Sequence, residues 1–352
     1  MTPALADYTT LGLGGPARSF VSAATEAGLT DAVRAADAAA EPVLLIGGGS
    51  NLVISDAGFP GTVIHVNTRG IGYASADNDA AAVDVTVAAG EDWDGVVAAT
   101  VAEGLAGLES LSGIPGRAGA TPIQNVGAYG REVAEVITRV RVHDRRGGQI
   151  LVLGREDCSF AYRTSLFKSA GARYVVLDVT FRLARQALSL PVKYAELAAE
   201  LGVALGEGAG LGEVRSAVLK IRARKGMVLS PGDPDTRSAG SFFTNPIITV
   251  ADFAAVEAAA AARAAGPVPQ YEAGAGLVKV PAAWLIEHAG FAKGYGAPSP
   301  ARVSSKHTLA LVNTGHATTA DLLALAREIV SGVHSAFGVT LTPEPILIGV
   351  SL

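Results

Sequence analysis

Gly47-Gly48-Gly49-Ser50-Asn51 lies between the apolar runs Val43-Leu44-Leu45-Ile46 and Leu52-Val53-Ile54. An apolar run that stops at a glycine cluster reads as a buried strand entering a tight loop. Without Cβ atoms, successive backbone N–H groups can converge on one point, and Ser50 and Asn51 add side-chain donors. Such a nest suits a phosphate or pyrophosphate, although a plain β-turn accounts for the same residues. The loop is neither a GxGxxG opening a helix nor a Walker loop ending in Lys-Ser/Thr. A phosphate bound here therefore needs another scaffold.

Four further places carry candidate chemistry. Leu111 to Gly130 holds five glycines and two prolines in twenty residues, with Ile114-Pro115-Gly116, Gln124, Asn125, Gly127, Ala128 and Tyr129 among them. A loop of this length inside a domain is usually functional, and its glycines let backbone approach a planar ligand. Arg163, between Tyr162 and Lys168, can fork onto a carboxylate or simply stack on Tyr162 at the surface. Ser241 is exposed by the small residues before it. A lone serine is usually structural, and no GxSxG elbow supports a hydrolase. Glu344, between Pro343 and Pro345, either points into a cleft or is an exposed terminal glutamate. Lys220, Arg222, Arg224 and Lys225 end a helix, where cations complement the dipole in water or meet a diphosphate.

The elements that must position these groups read as follows. A β-α-β-β unit runs to about residue 67, with a strand at 19–22, a helix at 24–40 and strands at 43–46 and 62–66. A strand at 82–89 precedes a helix opening at Asp92, its N-cap. Strands cover 140–143, 150–153 and 175–181. Helices follow at 195–201, stopped by Gly202, and at 212–225. Beyond a turn at 230–235, helices are expected at 251–265, 282–289 and 319–337, with a strand at 308–313 and an apolar strand near the end.

The 352 residues suit two or three domains. Formal net charge is −5, which argues against a nucleic-acid partner. No run is long and apolar enough for a transmembrane helix, and no signal segment is seen at the start. A single cysteine, Cys158, fits a reducing, cytoplasmic setting. No Cys/His cluster has metal-ligand spacing, so no metal is expected.

Seven motifs, in order and spanning nearly the whole chain, resemble those of the UDP-N-acetylenolpyruvoylglucosamine reductase family, type I. They are GGGSN at 47–51, GIPG at 113–116, PIQNVGAYG at 122–130, YRTSLFK at 162–168, GSFFTNP at 240–246, KH at 306–307 and PE at 343–344. The resemblance implies an α+β chain with the two-subdomain FAD-binding fold of the vanillyl-alcohol-oxidase (PCMH) type. Residues 1–67 and 68–225 would hold FAD, and an α+β domain at 226–352 would close over substrate. It implies that NADPH reduces FAD, that flavin N5 passes hydride to C3 of UDP-N-acetylglucosamine enolpyruvate, and that Ser241 protonates C2, giving UDP-N-acetylmuramate for peptidoglycan. Arg163 and Glu344 would be the other catalytic residues. Gly47 to Leu52, Ile114, Pro115, Gly116, Gln124, Asn125, Gly127, Ala128 and Tyr129 would bind cofactor. Tyr194, Lys225, Asn245 and Lys293 would bind substrate. Two positions depart from the family pattern: Thr244, where some members carry lysine, and Pro345, where many carry valine. A FAD-linked oxidase of the same fold and a non-catalytic nucleotide-binding protein are the alternatives. Cys158 lies in no flavin loop, so a covalent flavin is not expected. Oligomeric state is open, a monomer being one state the sequence allows.

Overall fold

The structure, a computed structural model, describes residues 2–77 and 79–352. Its first region is a three-stranded parallel sheet in the order Ala17–Ala23, Phe59–Val66, Val43–Ile46. Helix Glu26–Ala38 crosses between the first two strands in sequence. Thr25 caps it by accepting from the Gly28 N–H, and Leu29, Val33 and Ala36 form its buried stripe. Parallel strands share one carboxyl edge, where ligands of such sheets collect. Gly47–Asn51 leaves Val43–Ile46 at that edge.

The second region is an antiparallel sheet in the order Gln149–Gly154, Ile137–Asp144, Tyr174–Arg185, Asp79–Ala88, Ile71–Ala76. Ile71–Ala76 is an unexpected edge strand: only Ile71 and Tyr73 in it are large, and it is largely exposed, so its pattern is weak. The central Tyr174–Arg185 is buried almost throughout and packs Phe181 against Trp93 at 5.7 Å. Trp93 opens helix Trp93–Ala102. Asp92 is its N-cap as expected, accepting from the Gly95 N–H.

Helices Ala195–Leu201 and Leu211–Arg224 then pack together through Leu197, Val214, Val218 and Ile221. Gly202 ends the first in the left-handed region, φ 70°. The remaining chain contributes helices Val250–Ala262, Ala282–His288 and Thr319–Phe337 around Phe242, Phe243, Leu285, Ile286 and Ile329. The strand expected at 308–313 is shortened to Leu311–Asn313, because Ala310 N–H turns back to the His307 carbonyl.

Leu11, Leu13 and Val53 are buried in this last core. The final strand, Ile346–Ile348, pairs in parallel with Leu52–Ile54, directly after the glycine loop. Thr319 and Asn313 reinforce that return, donating to the carbonyls of Ile54 at 2.6 Å and Leu11 at 2.9 Å. The C-terminal residues are thereby fixed against the first glycine loop. Among the described residues no helix is long and apolar enough to cross a membrane, and no His/Cys/Asp/Glu group could hold a metal ion.

Candidate active site

The two glycine-rich stretches face each other across a backbone-to-backbone gap. A Cβ on Gly48 would sit 2.8 Å from the Gly116 Cα. Gly49 has φ +58°, and a Cβ there would collide with the Tyr8 carbonyl. Among the described residues, the N–H groups of Gly48, Gly49, Ser50 and Asn51 find no acceptor. Amides without an acceptor, in a space that a Cβ would fill, suit a pyrophosphate, so the residues fit an FAD seat. The Arg117 side chain lies over Gly47, 3.1 Å from where a Cβ would be. It is a cation that the motif reading passed over.

The 111–130 stretch is held firmly. Gly113 N–H donates to Asp94 at 2.6 Å, Trp93 N–H to the Gly116 carbonyl at 3.1 Å, and Ser165 Oγ to the Ile123 carbonyl at 2.6 Å. Asn125 is buried at φ 46°, and its side chain is committed to the protein. It donates to Glu132 at 2.7 Å and to the Ala161 carbonyl at 3.2 Å, and accepts from Ala134 N–H at 3.1 Å. Gln124 accepts from Asn51 Nδ2 at 2.6 Å, which locks the two loops together. The motif reading does not separate these residues, since both are short amides in one run.

Arg163 reaches the cradle from the other side. Tyr162 and Arg163 form the two-residue turn between Ala161 and Thr164, which exchange both backbone hydrogen bonds at 3.1 Å. Arg163 has φ +54° there, a conformation that favours glycine. Only six non-glycine residues have positive φ among the described residues, and Asn125, Tyr129 and Arg163 are three of them. Backbone strain of this kind collects where geometry is over-determined by function.

Arg163 Nη2 donates to the Gly127 carbonyl at 2.9 Å, and Nε lies 3.1 Å from Glu344 Oε1, a charge contact without hydrogen-bond alignment. The Glu344 side chain is only 12% exposed, so it is not an exposed terminal glutamate. Burial pushes its carboxyl above the ordinary range, against the pull of Arg163 and Lys168. The backbone brings Ser241 to the same place. Glu344 N–H donates to the Phe242 carbonyl at 2.9 Å, Thr244 N–H to the Thr342 carbonyl at 3.1 Å, and Phe243 bridges Pro343. Ser241 is thus next to the residue paired with Glu344, and is half-buried. A cavity of about 750 Å³ opens beside Arg163, lined also by Tyr162, Lys168, Thr244 and Asn245.

Two of the nucleotide candidates, Lys225 and Lys293, lie near His307. Burial, then Lys225 and Lys293, push its imidazole down to about 4, so it is neutral near pH 7. Lys225 pairs with Glu196, in the helix that Tyr194 precedes. Tyr194 is 42% exposed and meets Tyr129 edge-on, with ring centroids 5.5 Å apart. Asn245 Oδ1 accepts from Ala282 N–H at 2.9 Å, which fixes the start of helix Ala282–His288. Asp233 holds Lys306, and Asp235 accepts from Ser305 N–H at 3.0 Å, so the turn at 233–235 positions His307. The basic helical end divides: Lys220 and Arg224 share Glu200 near the surface, whereas Arg222 is buried. Helical spacing does not distinguish these four cations.

A glycine cradle on a carboxyl edge, with a half-buried Arg–Glu pair beside it, fits a flavin-binding oxidoreductase. In keeping with this, the family model described as "FAD binding domain" matches residues 17–154. The model described as "UDP-N-acetylenolpyruvoylglucosamine reductase, C-terminal domain" matches residues 233–348. The UDP-N-acetylenolpyruvoylglucosamine reductase of Thermobifida fusca is 56% identical over 351 residues, covering 99% of this chain and 97% of that protein. That of Streptomyces coelicolor is also 56% identical, covering 99% and 90%. The crystal structure of the Thermus caldophilus reductase is similar with a TM-score of 0.64 at 26% identity, covering 98% of this chain and 97% of that one. The chain belongs to the UDP-N-acetylenolpyruvoylglucosamine reductase family. The expected family, FAD-binding fold and C-terminal α+β domain are borne out.

Proposed function

We propose that this protein reduces UDP-N-acetylglucosamine enolpyruvate to UDP-N-acetylmuramate with NADPH as reductant, in the cytoplasm, for peptidoglycan synthesis. The observation that carries the reading is the half-buried Arg163–Glu344 pair, held beside Ser241 near the glycine cradle. Bound FAD would supply the hydride carrier between NADPH and C3 of the enolpyruvyl double bond. Gly47–Leu52 and Ile114–Gly116 would hold it by backbone. Gln124, Asn125, Gly127, Ala128 and Tyr129 close the seat, Asn125 chiefly by fixing the loop.

Arg163 offers its remaining N–H groups to the substrate carboxylate and stabilises the charge that grows there as C3 gains hydride. The arriving carboxylate favours the neutral form of Glu344, already pushed upward by burial. A protonated Glu344 donates a hydrogen bond to that charge. Ser241 gives its proton to C2 while the neighbouring cations stabilise its oxygen. Lys225, Lys293 and Tyr194 take the nucleotide diphosphate. Neutral His307 adds a donor, and Asn245 sets the wall of the cleft. Residues 1–67 and 68–225 serve as the cofactor-binding subdomains and 226–352 as the substrate domain.

Turnover tests the reading. Under anaerobic conditions, purified protein carrying FAD should oxidise more than one NADPH per flavin only when the enolpyruvyl nucleotide is present, and the product should be heavier by two hydrogens in mass spectrometry. Reduction of the cofactor by simple alcohols instead would point to an oxidase of the same fold. Purified protein that takes up no flavin would overturn the reading.

A further inference from the structure

Arg222 is a buried cation with no carboxylate of its own. The residue is 9% exposed and its Nε lies buried without a hydrogen-bond partner. Nη2 donates to the Met227 carbonyl at 3.0 Å, just past the end of helix Leu211–Arg224. Asp94, the nearby acid, is forked onto Arg215 at 2.6 and 2.8 Å. A buried guanidinium in this state is costly, and an apolar side chain of similar length would fill the space at lower cost.

The surroundings of Arg222 are both ends of the cradle loop. At one end, a Cβ on Gly113 would lie 3.4 Å from Arg222 Nε and 2.7 Å from Leu219 of the same helix. At the other, the Tyr129 hydroxyl faces the Arg222 guanidinium. Tyr129 itself has φ +52° and packs its ring into the cluster formed by this helix and helix Ala195–Leu201. Beyond Tyr129 stands Tyr194, and one turn beyond Arg222 stands Lys225, bound to Glu196 behind Tyr194.

We propose that Arg222 is a positioning residue that acts through Tyr129: it holds both ends of the 113–130 loop and couples the flavin seat to the Tyr194 segment of the nucleotide site. This rests on the reading of that loop as an FAD seat. A side chain that only filled space would leave the two sites independent. The buried fork lies beside Gly113 and near the Tyr129 hydroxyl, whose ring packs on the same helix, so the Tyr129 bend depends on a charged group in the helix that ends at Lys225.

The test is Arg222→Met, with Arg222→Lys and Tyr129→Phe beside it. The readouts are FAD affinity of the apoprotein by fluorescence quenching, the visible spectrum of bound FAD, and UDP-N-acetylglucosamine affinity with and without FAD. Thermal unfolding of each apoprotein checks the fold. The expected result is an Arg222→Met protein that folds, binds FAD roughly tenfold more weakly, and loses the FAD dependence of nucleotide affinity. Arg222→Lys should recover part of the FAD affinity, and the Met and Phe changes should not add when combined. If Arg222→Met fails to fold, Arg222→Lys and Tyr129→Phe carry the same comparison. Full FAD affinity with intact coupling in the folded variants would overturn the proposal. Failure of the unsubstituted protein to bind FAD would instead overturn the reading beneath it.

Discussion

At the cradle, side chains are absent where they would obstruct. Gly48 meets Gly116 backbone to backbone, and Gly49 leaves room for the Tyr8 carbonyl. At the proposed reacting centre, side chains crowd in: Arg163 and Lys168 come from one segment, Glu344 from another far along the chain, and they meet in one half-buried place. The cradle works by fixed backbone donors and tolerates no added atoms. The centre, on the proposed reading, works by charge in a partly shielded pocket and depends on the identity of each group. Binding and chemistry should therefore fail separately when each region is damaged.

The largest separation is expected for Arg163→Lys. A compact ammonium cannot hold Gly127, Glu344 and a substrate carboxylate together, so reduction of the enolpyruvyl nucleotide should fall about 10²–10³-fold. FAD affinity and Tm should stay near those of the parent protein. Unchanged turnover would remove Arg163 from the centre. Next is Gly49→Ala, which adds a methyl group against the Tyr8 carbonyl at positive φ. Loss of stability by about 2–4 kcal/mol and loss of FAD retention are expected in denaturant titration and flavin release. A stable, yellow Gly49→Ala protein would contradict the cradle.

Asn51→Ala strikes the join, since Asn51 bonds to Gln124 in the cradle and approaches the Glu344 carbonyl at 3.4 Å. Both FAD affinity and substrate reduction should decline, each about tenfold. A change confined to one would show the regions to be independent even here. The smallest effect concerns pH. Because burial raises the Glu344 pKa and the proposed role needs the protonated form, substrate reduction should slow as pH rises through that raised value. Glu344→Gln, which cannot ionise, should lose that limb.

The same contrast explains what was legible beforehand. Glycine clusters, caps such as Asp92 and the stop at Gly202 are local, so the seat and most helices could be read from the chain. Resemblance, rather than spacing, singled out Arg163, Ser241 and Glu344. Their meeting depends on Ile346–Ile348 returning to Leu52–Ile54, a parallel pairing nearly three hundred residues apart in sequence. Nothing local announces that return. Nor does helical spacing reveal that Arg222 is buried while Lys220 and Arg224 are not, since burial is decided by Tyr129 and Gly113 from another segment.

Ser241→Ala tests the division most directly, because it removes one oxygen from the centre and touches nothing in the cradle. Under anaerobic conditions, the two half-reactions of the FAD-loaded variant can be timed separately. The account predicts that NADPH bleaches the flavin at a near-normal rate, while recovery of colour with UDP-N-acetylglucosamine enolpyruvate slows by orders of magnitude. Equal slowing of both half-reactions, or undiminished recovery of colour, would contradict it.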